Sequence, residues 1–324
     1  MITPVFAIIS DGNNIADKID DKFISLSVTD KVSTSGDTAD FSLYWDGSFA
    51  IPKPGVVFEV QIGYAEEGLW QVGKFVAQEN TLSGPEKVLS VRGISQPQSQ
   101  DAAVGALQGT TEREWQAGTT FSEIVEDVCS TAGLTAKVAS ELVNIAMPHT
   151  SQVGESDAQI LSRIARNRDA FVKYHDNQVI IEKKDSRRIG KLEIAENQVT
   201  SYNFITVERS RFASVTAKYQ DAAAGQVEKV TAGEGDPQKV INNTFPDRQS
   251  ALDAAETILK NMTRQSLTAE ITLPTIAGLL AEKVINLKGF PDESFNTEYV
   301  LEQVTHKLDK QGGLRSVCKL QQFG

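Results

Sequence analysis

Hydrophobic and polar residues alternate through the first hundred residues of the chain. In Ile24–Val28 apolar residues alternate with serines, and Phe41, Leu43 and Trp45 repeat the same two-residue period. Successive side chains of a strand point to opposite faces, so this pattern predicts strands with one buried face each. Glycine and proline residues separate these runs, which predicts a small antiparallel barrel or sandwich. The further strand-like runs are Phe58–Tyr64, Trp70–Ala77 and Val88–Ile94.

A helical rhythm replaces the alternation near Gly105. The segment Gln96–Gly109 has few large apolar residues and is predicted to cross between domains. Thr120 and Glu123 have the spacing of a capping box, which predicts a helix start at Thr120. A second helix is expected after Ser156. The predicted buried stripes are Phe121, Ile124, Val125 and Val128 in the first helix, and Ile160, Leu161, Ile164 and Ala165 in the second.

Strand-like runs follow these helices at Ala170–Tyr174 and Gln178–Glu182, so the middle of the chain is predicted to be an α+β module. After about Thr200 the alternation returns. Asp221–Asp236 is rich in glycine and alanine and is predicted to be a long mobile loop. Asp247 precedes a helical pattern. The last predicted strands are Leu267–Leu273, Val284–Leu287, Tyr299–Leu308 and Arg315–Leu320.

The order of these elements predicts the domain organisation. We expect a mainly β protein with α+β character, in which two small antiparallel β-barrel domains flank an α+β module. The first barrel is assigned to residues 1–104, the α+β module to 105–198 and the second barrel to 199–324, with an inserted helix at about 247–264. No residue-level repeat establishes that the two barrels are copies.

Composition narrows the classes of function. The 324 residues carry a formal net charge of −11, which disfavours specific binding to nucleic acid. No apolar run approaches the roughly 20 residues of a membrane span, and the start of the chain lacks the pattern of a signal peptide. Cys129 and Cys318 lie at apolar positions, so we expect buried thiols and synthesis in a reducing cytoplasm. The sequons at Asn242 and Asn261 are then expected to be chance matches.

Candidates for chemistry are few. His149, His175 and His306 lie far apart in sequence, and none has metal-ligand spacing to another candidate ligand. His306 is expected to pack within a strand. We find no nucleophile elbow, phosphate loop, dinucleotide fingerprint or calcium loop. The sequence therefore predicts no catalytic, cofactor-binding or metal-binding residue, and no cofactor.

Other polar clusters have ordinary structural explanations. Asp20-Asp21 and Glu66-Glu67 are expected in exposed turns, and Gly233–Pro237 lacks the lysine of a phosphate loop. A basic cluster at Lys183, Lys184, Arg187 and Arg188 is expected to be a solvated turn. Trp45, Trp70 and Trp115 could suggest a platform for sugar, but two of them lie in strand-like runs, where core packing is more common.

Several segments resemble the late control protein D family of contractile-tailed phages, and they occur in the family's order. That family is similar to the hub part of type VI secretion VgrG spike proteins. The match extends over nearly the whole chain, and each motif alone is short. Gly313-Leu314 departs from the aromatic residue that the family often has after this glycine. The segments are Asp11–Ile15, Phe23–Asp30, Ser35–Phe41, Ile51–Gly55, Gly63-Tyr64, Gly73–Val76, Leu82–Pro85, Val91–Gly93, Glu114-Trp115, Gly133-Leu134, Pro148-His149, Glu155–Asp157, Leu161–Ala165, Val304–Asp309 and Gly312-Gly313.

This resemblance implies a structural function. Such proteins form a trimeric baseplate hub ring in a phage tail or tail-like particle, which joins the tail tube to the central spike and lets DNA or effector pass. The implied partners are two further copies of the chain, the spike, the tube or tube-initiator, the tape-measure protein and the baseplate wedge proteins. The implied location is the baseplate of the virion tail, and no enzymatic activity is implied.

Two alternatives belong to other classes. A tail-associated peptidoglycan hydrolase would carry a distinct catalytic domain, for which the pattern leaves no segment. A peptidoglycan-binding module would present Trp45 or Trp115 to sugar. Solution mass separates them from a hub, because a hub is expected to trimerise or to co-purify with a spike.

Overall fold

A computed structural model describes residues 2–10, 12–32, 37–95, 107, 109–175, 178–184, 190–207, 212–221, 224–264 and 267–322. Most of the predicted crossing segment Gln96–Gly109 lies outside the described residues. The same holds for the predicted turn at Asp176-Asn177 and for Arg187 and Arg188 of the basic cluster.

Strands dominate the described residues, as the alternating pattern predicts. The strands are β1 Pro4–Ser10, β2 Asn13–Asn14, β3 Phe23–Lys31, β4 Thr38–Tyr44, β5 Val57–Tyr64, β6 Gly68–Ser83, β7 Val88–Ser95, β8 Arg113–Trp115, β9 Thr135–Val138, β10 Thr150–Gln152, β11 Ala170–His175, β12 Gln178–Lys183, β13 Lys191–Ala195, β14 Ser201–Thr206, β15 Ser214–Asp221, β16 Gln226–Gly233, β17 Gln238–Phe245, β18 Leu267–Pro274, β19 Val284–Lys288, β20 Glu298–Asp309 and β21 Gly313–Gln322. The α-helices are α1 Ala16–Ile19, α2 Phe121–Thr131, α3 Ser140–Val143, α4 Asp157–Arg166 and α5 Arg248–Arg264, and short 3-10 turns cover Asp20–Lys22, Glu196–Gln198 and Glu293–Phe295.

The chain forms two compact units, each assembled from separate segments. Unit 1 comprises Met1–Gln96, Ile189–Phe204 and Ala269–Leu320, and unit 2 comprises Pro97–Arg188, Ile205–Thr268 and Gln321–Gly324. The predicted last segment, 199–324, contributes to both units. The division into three domains stays a prediction.

Unit 1 is built on one extended sheet. Its strand order is β14-β18-β21-β20-β3-β4-β7-β6-β5-β1-β2, with β19 pairing β20 and β13 pairing β19 in parallel. Because β20 pairs with β3, strands from the first and last thirds of the chain share one sheet. The expected closure into two barrels stays a prediction.

The buried face of this sheet packs aromatic side chains closely. The Phe58 ring lies 5.5 Å from the Phe41 ring and 5.8 Å from the Phe75 ring, between centroids. A Cβ at position 93 would lie within 2.5 Å of the Phe58 ring and 2.9 Å of Phe75, so only Gly93 leaves room for this packing. Full burial of one such ring contributes about 1.5–3 kcal/mol to folding.

Unit 2 contains the predicted α+β module, whose two long helices begin at the predicted positions, after Thr120 and after Ser156. Thr120 accepts from the Glu123 amide and Ser156 accepts from the Gln159 amide, and in both boxes the reciprocal bond is present. The predicted stripes of both helices are buried against the sheet β11-β12-β9. Gly133 follows helix α2 with a φ of +68°, the left-handed conformation expected of a C′ glycine.

The second part of unit 2 contradicts one expectation. Strand β16 lies inside the segment Asp221–Asp236, which we expected to be a long mobile loop. The three strands order as β16-β15-β17, with α5 against the face that presents Val215, Ala217, Val230 and Ala232. The alternation was missed because its inward positions include alanine, which contributes little to a hydrophobic pattern.

Candidate functional surfaces

The three histidines lie on different elements, and the structure describes the side chains of His149 and His306. His149 is half exposed and its Nε2 lies 3.9 Å from a Glu114 carboxylate oxygen. His175 ends strand β11, and His306 is buried in β20 of unit 1. The expectation that His306 packs within a strand is confirmed.

His306 belongs to a closed polar network inside unit 1. Its Nδ1 lies 2.8 Å from the Ser316 hydroxyl, which in turn lies 2.8 Å from the Thr275 hydroxyl. The ring also hydrogen bonds to the Leu279 backbone, and burial lowers its pKa to about 4 despite the nearby Asp30 charge. Ser316 is completely buried, so this serine and histidine offer no surface to a substrate.

The cysteines and tryptophans serve the cores. Both thiols are free and buried, as predicted, and burial raises the pKa of Cys129 and of Cys318 to about 12. Trp115 is buried and its Nε1 donates to Asp127 at 3.0 Å. Trp45 and Trp70 pack partly buried against the core of unit 1, in agreement with the core packing expected of tryptophans in strand-like runs.

The paired acids lie in turns, as expected. Asp20 and Asp21 belong to a 3-10 turn. The Thr3 amide donates to the Glu66 carboxylate, and this bond lowers the pKa of Glu66. Gly233–Pro237 links β16 to β17, and the Ser214 hydroxyl donates to the Gly235 carbonyl. Within the described ranges, no group of three potential ligands could hold a metal ion, and none of the helices combines the length and apolar character of a membrane span.

A polar face covers five neighbouring strands of unit 1, β20-β3-β4-β7-β6, on the side opposite the apolar core. The registers place short hydroxyl side chains in adjacent rows, and Ile94 of β7 and Val76 of β6 continue the row of Thr305, Thr29 and Thr38. We call this surface the hydroxyl face, and it consists of Ser25, Ser27, Thr29, Thr38, Ser42, Thr81, Ser90 and Thr305.

Cross-strand hydrogen bonds satisfy part of the hydroxyl face. The Thr29 and Thr305 hydroxyls lie 3.1 Å apart, and those of Ser42 and Ser90 lie 2.9 Å apart. Charged residues interspersed on the same rows balance in sign, with three acids and three bases. These residues are Lys31, Asp40, Glu79, Arg92, Lys307 and Asp309. The hydroxyl face is therefore nearly neutral on a chain whose net charge is −11.

Strand β14 ends the path of the extended sheet and pairs with β18 among the described strands. We call it the open edge. Its sequence contains neither proline nor a charged residue, and five of its six residues are exposed. Phe204 stacks on Phe295 with ring centroids 4.2 Å apart, and Tyr202 meets Phe290 edge-on at 5.1 Å. An edge strand without charge or proline is prone to pair with a further strand.

Both surfaces were missed in the sequence. The signal for the hydroxyl face was present, because Ser25, Ser27 and Thr29 alternate with buried apolar residues of β3. Its continuation across other strands depends on registers that join residues nearly 280 positions apart, as Thr29 and Thr305 are. The open edge depends on strand order, which a local pattern does not contain.

Comparisons with known proteins identify the class. Residues 101–312 match the family model of the phage tail baseplate hub (GPD). The probable baseplate hub protein of Escherichia phage 186 is 25% identical, over 98% of this chain and 94% of that protein. A 43 kDa tail protein of prophage MuSo2 from Shewanella oneidensis has a similar structure, with a TM-score of 0.72, 14% identity and coverage of 99% and 98%.

A similar fold also occurs outside phages. An E. coli protein described as a component of the type VI secretion system, with structural similarity to the T4 tail proteins gp27 and gp5, aligns with a TM-score of 0.58 at 9% identity. The alignment covers 94% of this chain and 74% of that protein. The resemblance found in the sequence is thus confirmed at the level of family and fold.

Proposed function

Because the chain belongs to the phage tail baseplate hub (GPD) family, we propose that three copies close into a hub ring that joins the tail tube to the central spike. The chain is thus a structural protein of the tail baseplate. The proposed partners are the spike, the tube or tube-initiator, the tape-measure protein and the wedge proteins. The proposal contains no catalytic step.

The open edge is the main observation that supports a ring. Its exposed tyrosine and isoleucine lie on a strand that lacks the charges by which solvent-facing edges avoid association. Contact with another copy would cover this edge and the half-exposed rings of Phe204 and Phe295. A ring also suits the biology of a hub, since closed symmetry limits assembly to a fixed number of copies.

Solution mass tests the ring directly. Light scattering is expected to give about three times 35.3 kDa, alone or with the spike protein present. Ile205→Lys, which places a charge on the open edge, is expected to reduce assembly. Val227→Lys is the matched control, because Val227 is equally exposed on β16, a strand of the separate sheet β16-β15-β17. A strict monomer in both conditions would contradict the ring, and assembly of Ile205→Lys at unchanged strength would exclude the open edge as the contact.

We further propose that the hydroxyl face lines the passage of the hub. Short hydroxyl groups that bond to one another offer few free donors to a passing chain, and balanced charges leave little net attraction. DNA carries one charge per about 1.7 Å of duplex axis, so a basic wall would retain it by counterion release. A neutral wall avoids this retention, in accord with a hub that lets DNA or effector pass.

Charge reversal on the hydroxyl face tests the passage. Asp40→Lys with Glu79→Lys makes the face basic and is expected to slow genome ejection while assembled particles still form. The control reverses two exposed acids elsewhere, Glu114→Lys with Glu193→Lys, with the same change in net charge. Equal ejection rates for both double variants would exclude the hydroxyl face as the wall.

A further inference from the structure

Unit 2 contains two separate apolar cores. The first module, residues 109–184, packs α2 and α4 against β9, β11 and β12. The second module, residues 212–264, packs α5 against β15, β16 and β17. Among the described residues, the two buried clusters have no member in common. What joins the modules is therefore not a shared hydrophobic core.

Buried ion pairs connect the modules at the loop after α4. Asp169 of the first module receives two hydrogen bonds from the Arg264 guanidinium, at 2.7 and 2.8 Å, and both side chains are more than nine-tenths buried. Arg168, which is equally buried, forms an ion pair with Asp253. The Thr257 hydroxyl donates to the Asn167 carbonyl at 3.4 Å. We call the two ion pairs the ionic joint.

Helix α5 contacts the first module with one face and the sheet of the second module with another. Asp253, Thr257 and Arg264 form a polar stripe at helical spacing, and it meets the loop 167–169. Ala251 and Ala255 lie on the face that packs on the sheet of the second module. Beside the ionic joint lies a cleft of about 250 Å³. It is lined by Met147–Ser151, by Arg163, Ile164, Asn167 and Arg168, and by Phe245, Pro246, Ser250 and Asp253. Packing across the joint is thus incomplete.

We propose that the ionic joint is a separable contact, at which the second module moves relative to the first while both cores stay folded. Buried ion pairs contribute little net stability against water, because desolvation offsets their attraction, yet each pair fixes one geometry. Contacts with few apolar partners open at lower free energy than cores do. The joint therefore gives the hub an internal degree of freedom beyond its proposed role in a ring.

Thiol labelling of the intact chain tests the separation. Thr257→Cys places a reporter at the joint, Ala217→Cys places one in the core of the second module, and native Cys129 reports on the first. Each thiol is followed by mass spectrometry of its peptide. In the otherwise unchanged protein we expect Cys at position 257 to react at least about tenfold faster than the two core thiols, because the joint opens locally.

A second variant sharpens the result. Asp169→Asn keeps the side-chain shape and suits the left-handed backbone at φ +51°, but leaves Arg264 buried beside a neutral group. Labelling at position 257 is expected to rise about 100-fold, and both core thiols are expected to stay at least about tenfold slower than Cys at position 257. One common rate for all three thiols would overturn the proposal. If the Asp169 variant does not fold, the labelling rates at position 257 and at the two core thiols in the protein with native Asp169 still test the proposal.

Discussion

The two units bury polar groups in different ways. In unit 1 the buried network of Thr275, Ser316 and His306 is uncharged at neutral pH, and Asp30 accepts a hydrogen bond from the Ala281 amide close by. In unit 2 the ionic joint buries two arginines against two aspartates. An uncharged network is sensitive to protonation, whereas paired charges are sensitive to the loss of a partner. We therefore expect protonation to destabilise unit 1 and the loss of a charged partner to destabilise unit 2.

The largest expected effect concerns the ionic joint. Arg264→Ala leaves the buried Asp169 carboxylate without its guanidinium, and such a loss costs about 3–5 kcal/mol of unfolding free energy. The control is Lys288→Ala, which removes a pair with Glu193 in which both side chains are more than half exposed. That control is expected to cost less than about 1 kcal/mol. Denaturant unfolding of both variants measures the difference, and equal losses would contradict the contrast between buried and exposed pairs.

The second effect is the pH dependence of unit 1. His306 has a folded pKa of about 4, below its ordinary value of 6.5, so the unfolded chain takes up the proton first as the pH falls. The stabilisation of the folded state by neutral His306 is fully present above pH 6.5. As the pH falls from 6.5 to 4, the free energy of unfolding decreases by about 3 kcal/mol at most from this source.

Unfolding measured from pH 7 to pH 4 in the parent and in His306→Gln separates this effect from that of the carboxylates. The variant is expected to lose less stability over this range than the parent does. Parallel curves would show that the imidazole does not carry the dependence.

Local elements were predictable because their signals are local. Both long helices of the first module begin at the capping residues Thr120 and Ser156, and β3 follows the serine alternation. The pairing of β20 with β3 joins residues far apart in sequence, and no turn or period encodes it. The ionic joint could not be predicted either, because Asp169 and Arg264 are 95 residues apart and each charged residue, taken alone, is expected at the surface. The open edge and hydroxyl face emerge only from strand order.

A smaller effect tests the helices that the sequence did predict. Thr120→Ala and Ser156→Ala each remove an N-cap whose side chain accepts from a backbone amide, at an expected cost of about 1 kcal/mol. Thr131→Ala is the control, because its exposed hydroxyl only bonds to the Asp127 carbonyl within the same helix. Its expected change stays within about 0.5 kcal/mol. Losses of equal size in all three variants would show that capping does not set these helix starts.

The smallest effect is expected at His149, a half-exposed histidine of unit 2. Its contact with Glu114 spans 3.9 Å between half-exposed side chains, and pairs of this kind contribute about 0–1 kcal/mol. His149→Gln is therefore expected to leave stability within about 0.5 kcal/mol and infectivity unchanged, as is Glu114→Gln. The pair matters because His149 also borders the cleft beside the ionic joint, where an imidazole with a catalytic role would meet a substrate. Loss of infectivity in assembled, well-folded His149→Gln particles, with Glu114→Gln unaffected, would point to chemistry at the cleft. A purely structural hub predicts unchanged infectivity for both variants, because neither side chain then takes part in a reaction.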